Sequence, residues 1–427
     1  MRSIVGQERV AARGLPELFV LRILVTGHGK SLLLHAMRDA GSVPTSDLFR
    51  WYGRLPPTAL LALRRGKCQI DDPTVNIQME TIMERTVIAV DIAKKVFQLH
   101  WVELDTGCIE RLQLKRARML EWFANRTAAL VVMEACGGAH DWGRALIGLG
   151  HEVRLISPRK VRPFVQRNKT DAADAQAIWT ACQQPGMRFV PVKTEAQQIV
   201  LSLHRLRAQL MKTRIMQTNE LRGLLYEFGI VLPEGHAALL RALPDAMCDA
   251  MCDAKARLPA MLMDSLDEQL RRVQQLQADI GLVERRLSQQ MREIPACKAV
   301  AEIPGVGLLT ATAVVASMGT PTSFKDAREF AAWIGLVPRQ TGTGGRVRQL
   351  GISKRGDAYL RTLLMHGARA VVIRFKVGPT WPWLTALLQR RPYSVAVAAV
   401  ANKLARTIWA VLARGQAWRP EAWQGAH

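Results

Sequence analysis

Between Thr86 and Ile156 the apolar residues fall in runs too short for helices and too regularly spaced for loops, which constrains the fold more than any other feature of the chain. Val87 to Ile92 is a short β-branched run, Val96 to Leu104 alternates, Asp105-Thr106-Gly107 offers a turn, and Cys108 to Leu114 alternates again. Three antiparallel strands are predicted. Met119, Leu120, Trp122 and Phe123 mark a helix, and Ala128 to Met133 is nearly continuous in apolar residues, as a strand buried on both faces requires. Gly137-Gly138 opens a second helix that ends at Gly150, and His151 to Ile156 makes a fifth strand.

Three antiparallel strands followed by helix, strand, helix and strand is the order of a ribonuclease H-like α/β domain, here spanning residues 86–190. Residues 191–294 change to long helices. Leu266, Leu270, Val273, Leu276, Ile280, Val283, Leu287, Met291 and Ile294 recur at spacings of three and four, the pattern of a coiled-coil seam. That seam fits a dimer contact and an intramolecular hairpin with residues 199–225 equally well. A basic, mainly helical domain follows over 295–415, and the Trp- and Gly-rich tail 416–427 is expected to be poorly ordered. The fold class is therefore α/β plus α.

Residues 1–85 form an N-terminal extension without clear periodicity, read as disordered or as upstream translation before Met79 or Met83. Thr26 to Ser31 ends like a phosphate-binding loop, but Leu24 stands where that motif needs glycine.

The charge says what such a chain meets. Lys and Arg number 59 against 36 Asp and Glu, a formal net charge of +23, so the expected partner is a polyanion, nucleic acid first. The seven cysteines are scattered without zinc-site spacing; Cys248 and Cys252 belong to a tandem Asp-Ala-Met-Cys duplication. The apolar stretch 395–413 is interrupted by Lys403 and Arg406, and no signal peptide is evident, so a cytoplasmic, nucleoid-associated protein is expected.

Within the patterned region the acids stand out. Asp91 sits in Ala89-Val90-Asp91-Ile92, and Glu134 ends the buried strand in Val132-Met133-Glu134-Ala135. A carboxylate at the end of each of two neighbouring strands is costly unless it faces a site. Asp171 and Asp174 follow, three residues apart and so on one helical face. Taken singly, each acid is explained by a cap or a turn. Together they can hold two Mg²⁺ (or Mn²⁺) ions about 3.5–4 Å apart, the arrangement that serves phosphodiester displacement. Lys94, Lys95, Arg159, Lys160, Arg162, Arg167 and Lys169 lie near them in sequence and would form a phosphate-binding rim.

Val90-Asp91-Ile92-Ala93-Lys94, Met133-Glu134-Ala135-Cys136-Gly137 and Asn168-Lys169-Thr170-Asp171-Ala172-Ala173-Asp174-Ala175 resemble the amino-terminal, RuvC-like domain of the DEDD insertion-sequence transposases, which include bridge-RNA-guided recombinases. The resemblance continues through Arg339 to Arg346 and Gly351 to Asp357, and covers roughly residues 86–415. It implies a DNA transposase or recombinase, a structured guide RNA that selects DNA by base pairing, and a homo-oligomer, dimer or tetramer.

The residues of the C-terminal domain agree. Ile303-Pro304-Gly305-Val306-Gly307 reads as a helix-hairpin-helix turn, with Gly305 and Gly307 letting backbone N–H groups approach phosphate, or as a plain interhelical turn. Thr341 to Lys354 reads as a Gly-rich, hydroxyl-bearing loop, with Arg339, Arg346, Arg348, Lys354 and Arg355 as phosphate-binding cations. The resemblance places a nucleophilic serine just before the glycines; here Thr343 holds that position, its methyl group restricting in-line approach. Ser353 is the second hydroxyl in reach, though it also fits the N-cap of a helix from Lys354 to Met365.

The resulting expectation is metal-dependent strand cleavage and rejoining through a hydroxyl-linked covalent intermediate. Two rivals use the same residues differently: a Holliday-junction-type nuclease without a protein nucleophile, and an inactive nucleic-acid-binding protein.

Overall fold

A computed structural model describes residues 21–25, 32–36, 85–165, 170–252, 258–375 and 381–423. In the N-terminal extension, strands β1 (Leu21–Val25) and β2 (Leu32–Ala36) pair as an antiparallel hairpin, a feature the irregular sequence there did not announce. The phosphate-loop-like Thr26 to Ser31 falls outside the described residues, as do Met79 and Met83.

The patterned region forms a six-stranded sheet from β3 (Val87–Ile92), β4 (Val96–Val102), β5 (Ile109–Lys115), β6 (Leu130–Glu134), β7 (Glu152–Ile156) and β8 (Phe189–Val190), in the order β5-β4-β3-β6-β7-β8. The two central strands carry the continuous apolar runs: Val87 to Val90 and Leu130 to Met133 are all buried. β5 is an edge strand, mostly exposed and bearing Glu110, Arg111, Gln113 and Lys115. Charge on an open edge discourages pairing with another chain. The two-residue β8, antiparallel to β7 through Leu155 and Val190, is too short to leave a pattern and was not predicted.

Helix α1 (Met119–Ala124) buries Met119 and Phe123. Helix α2 (Ala139–Gly148) follows Gly138, whose left-handed φ of 87° turns the chain out of β6, and its Trp142 meets Phe97 of β4 edge-on at 4.9 Å. Helix α3 (Asp171–Cys182) starts at Thr170, whose hydroxyl accepts from the Ala173 N–H at 3.3 Å. Its inner side meets the sheet where Trp179 lies 5.8 Å from His100 and Arg111 donates to Gln176.

The long helices α4 (Glu195–Glu227) and α6 (Ala260–Glu293) lie antiparallel, with α5 (His236–Cys252) between them in sequence. Near one end Leu221 and Leu225 of α4 bury with Leu266, Leu270 and Val273 of α6 and with Leu239 and Leu243 of α5. Near the other, Val200 buries with Val283 and Leu287, and Arg207 pairs with Glu284 at 2.6 Å. The heptad-like seam is thus covered within the chain.

The C-terminal domain packs α7 (Pro295–Ala301), α8 (Leu308–Met318), α9 (Ala327–Ile334), α10 (Ala358–Phe375), α11 (Pro382–Arg390) and α12 (Tyr393–Arg414) around one core that includes Val314, Phe330, Leu364, Val400 and Ile408. α12 is the one helix among the described residues long and apolar enough to cross a membrane, and its Val397, Val400, Leu404 and Ile408 face this core. The tail contributes too. Trp423 is 1% exposed, donates to Thr407 at 3.0 Å and stacks edge-on with Trp381, so the expectation of poor order fails for residues 416–423. An indole that can bury its ring and satisfy its N–H holds even a short irregular segment.

His204 of α4 joins these helices. Buried at 2% exposure, its two ring nitrogens meet the Tyr359 hydroxyl and the Thr312 hydroxyl, each at 2.9 Å. Burial, then the Arg207 charge, pushes its pKa down to about 4.

Candidate active site

β3 and β6 begin side by side, the Leu130 N–H donating to the Thr86 carbonyl at 3.0 Å, so Asp91 and Glu134 both fall toward the far ends of adjacent strands. Both are half-buried. Cys136, two residues beyond Glu134, reports on the pair: burial first, then the Glu134 and Asp91 carboxylates, push its thiol above its ordinary value. Two carboxyl side chains therefore share one locale at the carboxyl edge of the sheet. The β6 and β7 ends meet there as well, through the Ala135 N–H and the Ile156 carbonyl at 2.8 Å.

Asp171 and Asp174 stand in the first turn of α3, Asp171 exposed and Asp174 half-buried with its N–H bonded to the Thr170 carbonyl at 2.9 Å. Among the described residues no group of three or more His, Cys, Asp or Glu side chains is disposed to hold a metal ion. The structure thus unites Asp91 with Glu134 and leaves the other two acids at the head of α3.

Of the proposed basic rim, Lys94 and Lys95 are exposed in the turn that follows Asp91, and Arg159 and Arg162 are exposed just after β7. Lys160 is already engaged: it donates to the Arg188 carbonyl at 3.1 Å, and burial and the Arg188 charge lower its pKa. Arg167 and Lys169 lie outside the described residues.

The Gly-rich segment is not a loop. Pro338–Thr343 and Arg346–Ile352 form β9 and β10 of an antiparallel ribbon, turned by Gly344 and Gly345 with φ of 57° and 78°. Two consecutive left-handed residues make the tight hairpin turn that matches strand twist, which is why two glycines stand there. Opposite residues share a face, and the register pairs Thr343 with Arg346 and Thr341 with Arg348. Alternation along β9 adds Arg339 to the same face. A shallow, open depression of about 230 Å³ lies against the ribbon, lined by residues from Gln340 to Val347. Gly342 is required by the pairing itself, since a β-carbon there would come within 2.3 Å of the Arg346 carbonyl oxygen.

Beyond the ribbon, Ser353 is not a helix cap. Its N–H bonds to the Val337 carbonyl at 2.8 Å, and α10 begins at Ala358, capped by Asp357, which accepts from the Tyr359 and Leu360 N–H groups at 2.8 and 3.1 Å. The Ser353 hydroxyl is buried without a hydrogen-bond partner among the described residues. Lys354 and Arg355 are exposed. Sequence reasoning missed Arg361, which braces this segment by donating to the carbonyls of Ile334 and Arg355. It also missed Cys136, whose place was signalled only by its closeness to Glu134.

Gly305 has a packing reason. A β-carbon on it would lie 2.6 Å from Val371 and 2.7 Å from the Gly367 carbonyl oxygen, so its α-carbon packs directly against α10. Gly307 opens α8, and a β-carbon there would meet nothing within 4 Å.

Two stretches of the chain match known protein families. Residues 88–230 match a family model described as a transposase of the DEDD, IS110 type, and residues 297–382 match the transposase IS116/IS110/IS902 family. A probable family 20 transposase of Pseudomonas aeruginosa is 46% identical over 340 residues, covering 79% of this chain and 100% of its own. The transposase for insertion sequence element IS1111A of Coxiella burnetii is 41% identical over 78% of this chain and 91% of its own. The transposase for element IS1328 of Yersinia enterocolitica is 37% identical over 77% and 97%.

Proposed function

Because this chain belongs to the IS116/IS110/IS902 family of insertion-sequence transposases, with DNA as its substrate, we propose that it cuts and rejoins DNA through a covalent bond to Thr343. The observation that carries this reading is the ribbon register, which puts Thr343 on one exposed face with Arg346, Arg348 and Arg339. The threonine oxygen bonds to phosphorus as the bond from phosphorus to a deoxyribose oxygen breaks. The hydroxyl proton passes to a base, and the departing sugar oxygen takes one up. Attack by a second strand's hydroxyl reverses these steps and frees Thr343. Three guanidiniums on that face offset the charge that gathers on the phosphate oxygens.

The acids suit a hard divalent cation, Mg²⁺ or Mn²⁺, which takes carboxylate oxygens. Asp91 and Glu134, on adjacent strand ends, would hold it, and Asp171 and Asp174 would join from the first turn of α3. When bound, such an ion stabilises developing phosphate charge and lowers the pKa of a coordinated hydroxyl. Lys94, Lys95, Arg159 and Arg162, at the same sheet edge, would guide the strand.

The reading extends to partners. A structured RNA would choose donor and target by base pairing while the protein, at net charge +23, grips backbone and shape. A dimer or tetramer would use a face other than the α6 seam, and Ile199, Leu206, Ile215 and Met216 of α4 are exposed apolar residues available for it. The test is a denaturing gel of protein incubated with labelled element-end DNA, guide RNA and Mg²⁺. An adduct is expected that survives in Thr343→Ser and vanishes in Thr343→Ala. Cleavage without an adduct would make the protein a hydrolytic nuclease, and an adduct lost only in Ser353→Ala would move the nucleophile to Ser353.

A further inference from the structure

At the root of the ribbon, away from Thr343, lies an open groove of about 240 Å³ between the end of β10 and one side of α10. Lys354, Arg361, His366 and Arg369 supply its polar wall, with Thr362 beside them, and Ile352 and Met365 supply an apolar one. Arg361, Met365 and Arg369 are spaced by four, so they stack along one face of α10. No described carboxylate pairs with Lys354, Arg361 or Arg369, which leaves the hollow cationic. Arg361 is anchored through one guanidinium nitrogen to two backbone carbonyls, while the Lys354 and Arg369 side chains donate to no partner among the described residues.

Lys354 carries a second sign. Its φ of 53° makes it the one non-glycine residue with left-handed backbone among the described residues. The chain answers that requirement with glycine close by, at Gly335, Gly344, Gly345 and Gly356, all at positive φ. The segment around Lys354 is held in place by its N–H to the Gly335 carbonyl at 3.1 Å and by the Ser353 N–H to Val337. Glycine would suit this backbone better than lysine does, so the side chain, not the conformation, is what position 354 supplies.

We propose that this hollow is a second DNA-backbone subsite, in which Lys354 and Arg369 hold a phosphate and the Ile352 and Met365 wall takes the attached sugar. The seven residues of β10 at ~3.3 Å each put it roughly 20 Å from the ribbon tip, up to about six base pairs along a duplex. It would anchor the duplex while strands exchange at the tip, and in this it rests on the reading of Thr343 as the reacting group. RNA is the rival occupant. DNA is favoured because the hollow continues the ribbon that carries the candidate nucleophile.

The experiment uses the full chain without divalent metal, titrated into fluorescent duplex DNA and separately into fluorescent single-stranded RNA over a series of salt concentrations. Lys354→Gly and Arg369→Gln are each expected to weaken duplex binding several-fold and to lower the slope of log affinity against log salt by about one. Lys354→Gly should at the same time keep or raise the thermal midpoint, since glycine relieves the backbone; a residue placed only for structure would not separate the two readouts. Arg369→Lys should keep the salt slope. Duplex binding unchanged in both variants, or a loss confined to RNA, would overturn the proposal, as would a wild-type chain that binds no duplex. A wild type that binds duplex but forms no adduct would refute the catalytic reading while leaving the subsite intact.

Discussion

Gly305 and Gly367 meet backbone to backbone: a β-carbon on Gly367 would stand 2.0 Å from the Gly305 carbonyl oxygen. Neither side can yield cheaply, because the obstacle is main chain and Gly305 already has φ of +85°. Gly367→Ala should therefore destabilise the C-terminal domain by about 1–3 kcal/mol or more, as overpacking of a tight contact does, read as a fall in the denaturation midpoint. Gly307→Ala, whose added carbon meets open space, should cost far less. Equal effects at the two positions would mean that the close approach is not what Gly367 serves.

Asp91 and Glu134 are expected to bind the cation together. Mn²⁺ titration followed by electron paramagnetic resonance should show binding in the full chain that Asp91→Asn and Glu134→Gln each weaken at least tenfold. Asp171→Asn and Asp174→Asn should weaken it too if the first turn of α3 closes on the pair. Binding indifferent to Asp91→Asn would rule out a cation at this sheet edge.

His204 makes stability depend on pH with a definite sign. Its folded pKa, about 4, lies below the ordinary histidine value of 6.5, so between the two the unfolded chain binds a proton that the folded chain refuses. Stability is complete above that window and is lost as pH falls through it. His140 acts in the same direction: its Nδ1 accepts from the Lys193 N–H at 3.1 Å, and burial, then Lys193, Arg144 and Arg205, lower its pKa to about 4. The denaturation midpoint should drop from pH 7 to pH 5, and His204→Gln should flatten the drop while lowering the midpoint at pH 7. A midpoint independent of pH across that range would contradict the neutral, buried state of both rings.

The N-terminal extension is expected to be dispensable for folding and nucleic-acid binding. The family match begins at residue 88. A chain beginning at Met83 should melt within a few degrees of the full chain and bind element-end DNA equally well. Insolubility or lost binding would show that the extension belongs to the working protein.

Much of the sheet was legible because its centre is buried on both faces. Val87 to Val90 and Leu130 to Met133 leave no room for polar residues, so Asp91 and Glu134 stood out at the points where the runs stop. The ribbon was harder to read because it is exposed on both sides and alternates in no apolar residue; its one signal was Gly344-Gly345, a hairpin turn in sequence form. Periodicity in α6 correctly showed a buried stripe but could not say what buries it, since a partner chain and a neighbouring helix demand the same spacing. Gly305 was ambiguous for a related reason: glycine marks close approach, and nothing in Ile303 to Gly307 tells whether a phosphate or the backbone of Gly367 does the approaching.

Two strands without a covering layer hold together only marginally in water, since there is no buried face to reward their pairing. The ribbon from Pro338 to Ile352 is in that condition at its tip, while its base is clamped where Gly356 presses on the Trp333 carbonyl and Gly335 on Arg355. Amide hydrogens near Thr343 should then exchange with solvent orders of magnitude faster than those of α10 a short distance away. Part of the free energy of grasping DNA would go into ordering that tip. In its proposed role, Thr343 would be held in attacking geometry only while a duplex lies against it, so a chain wandering between sites would carry that hydroxyl unaimed.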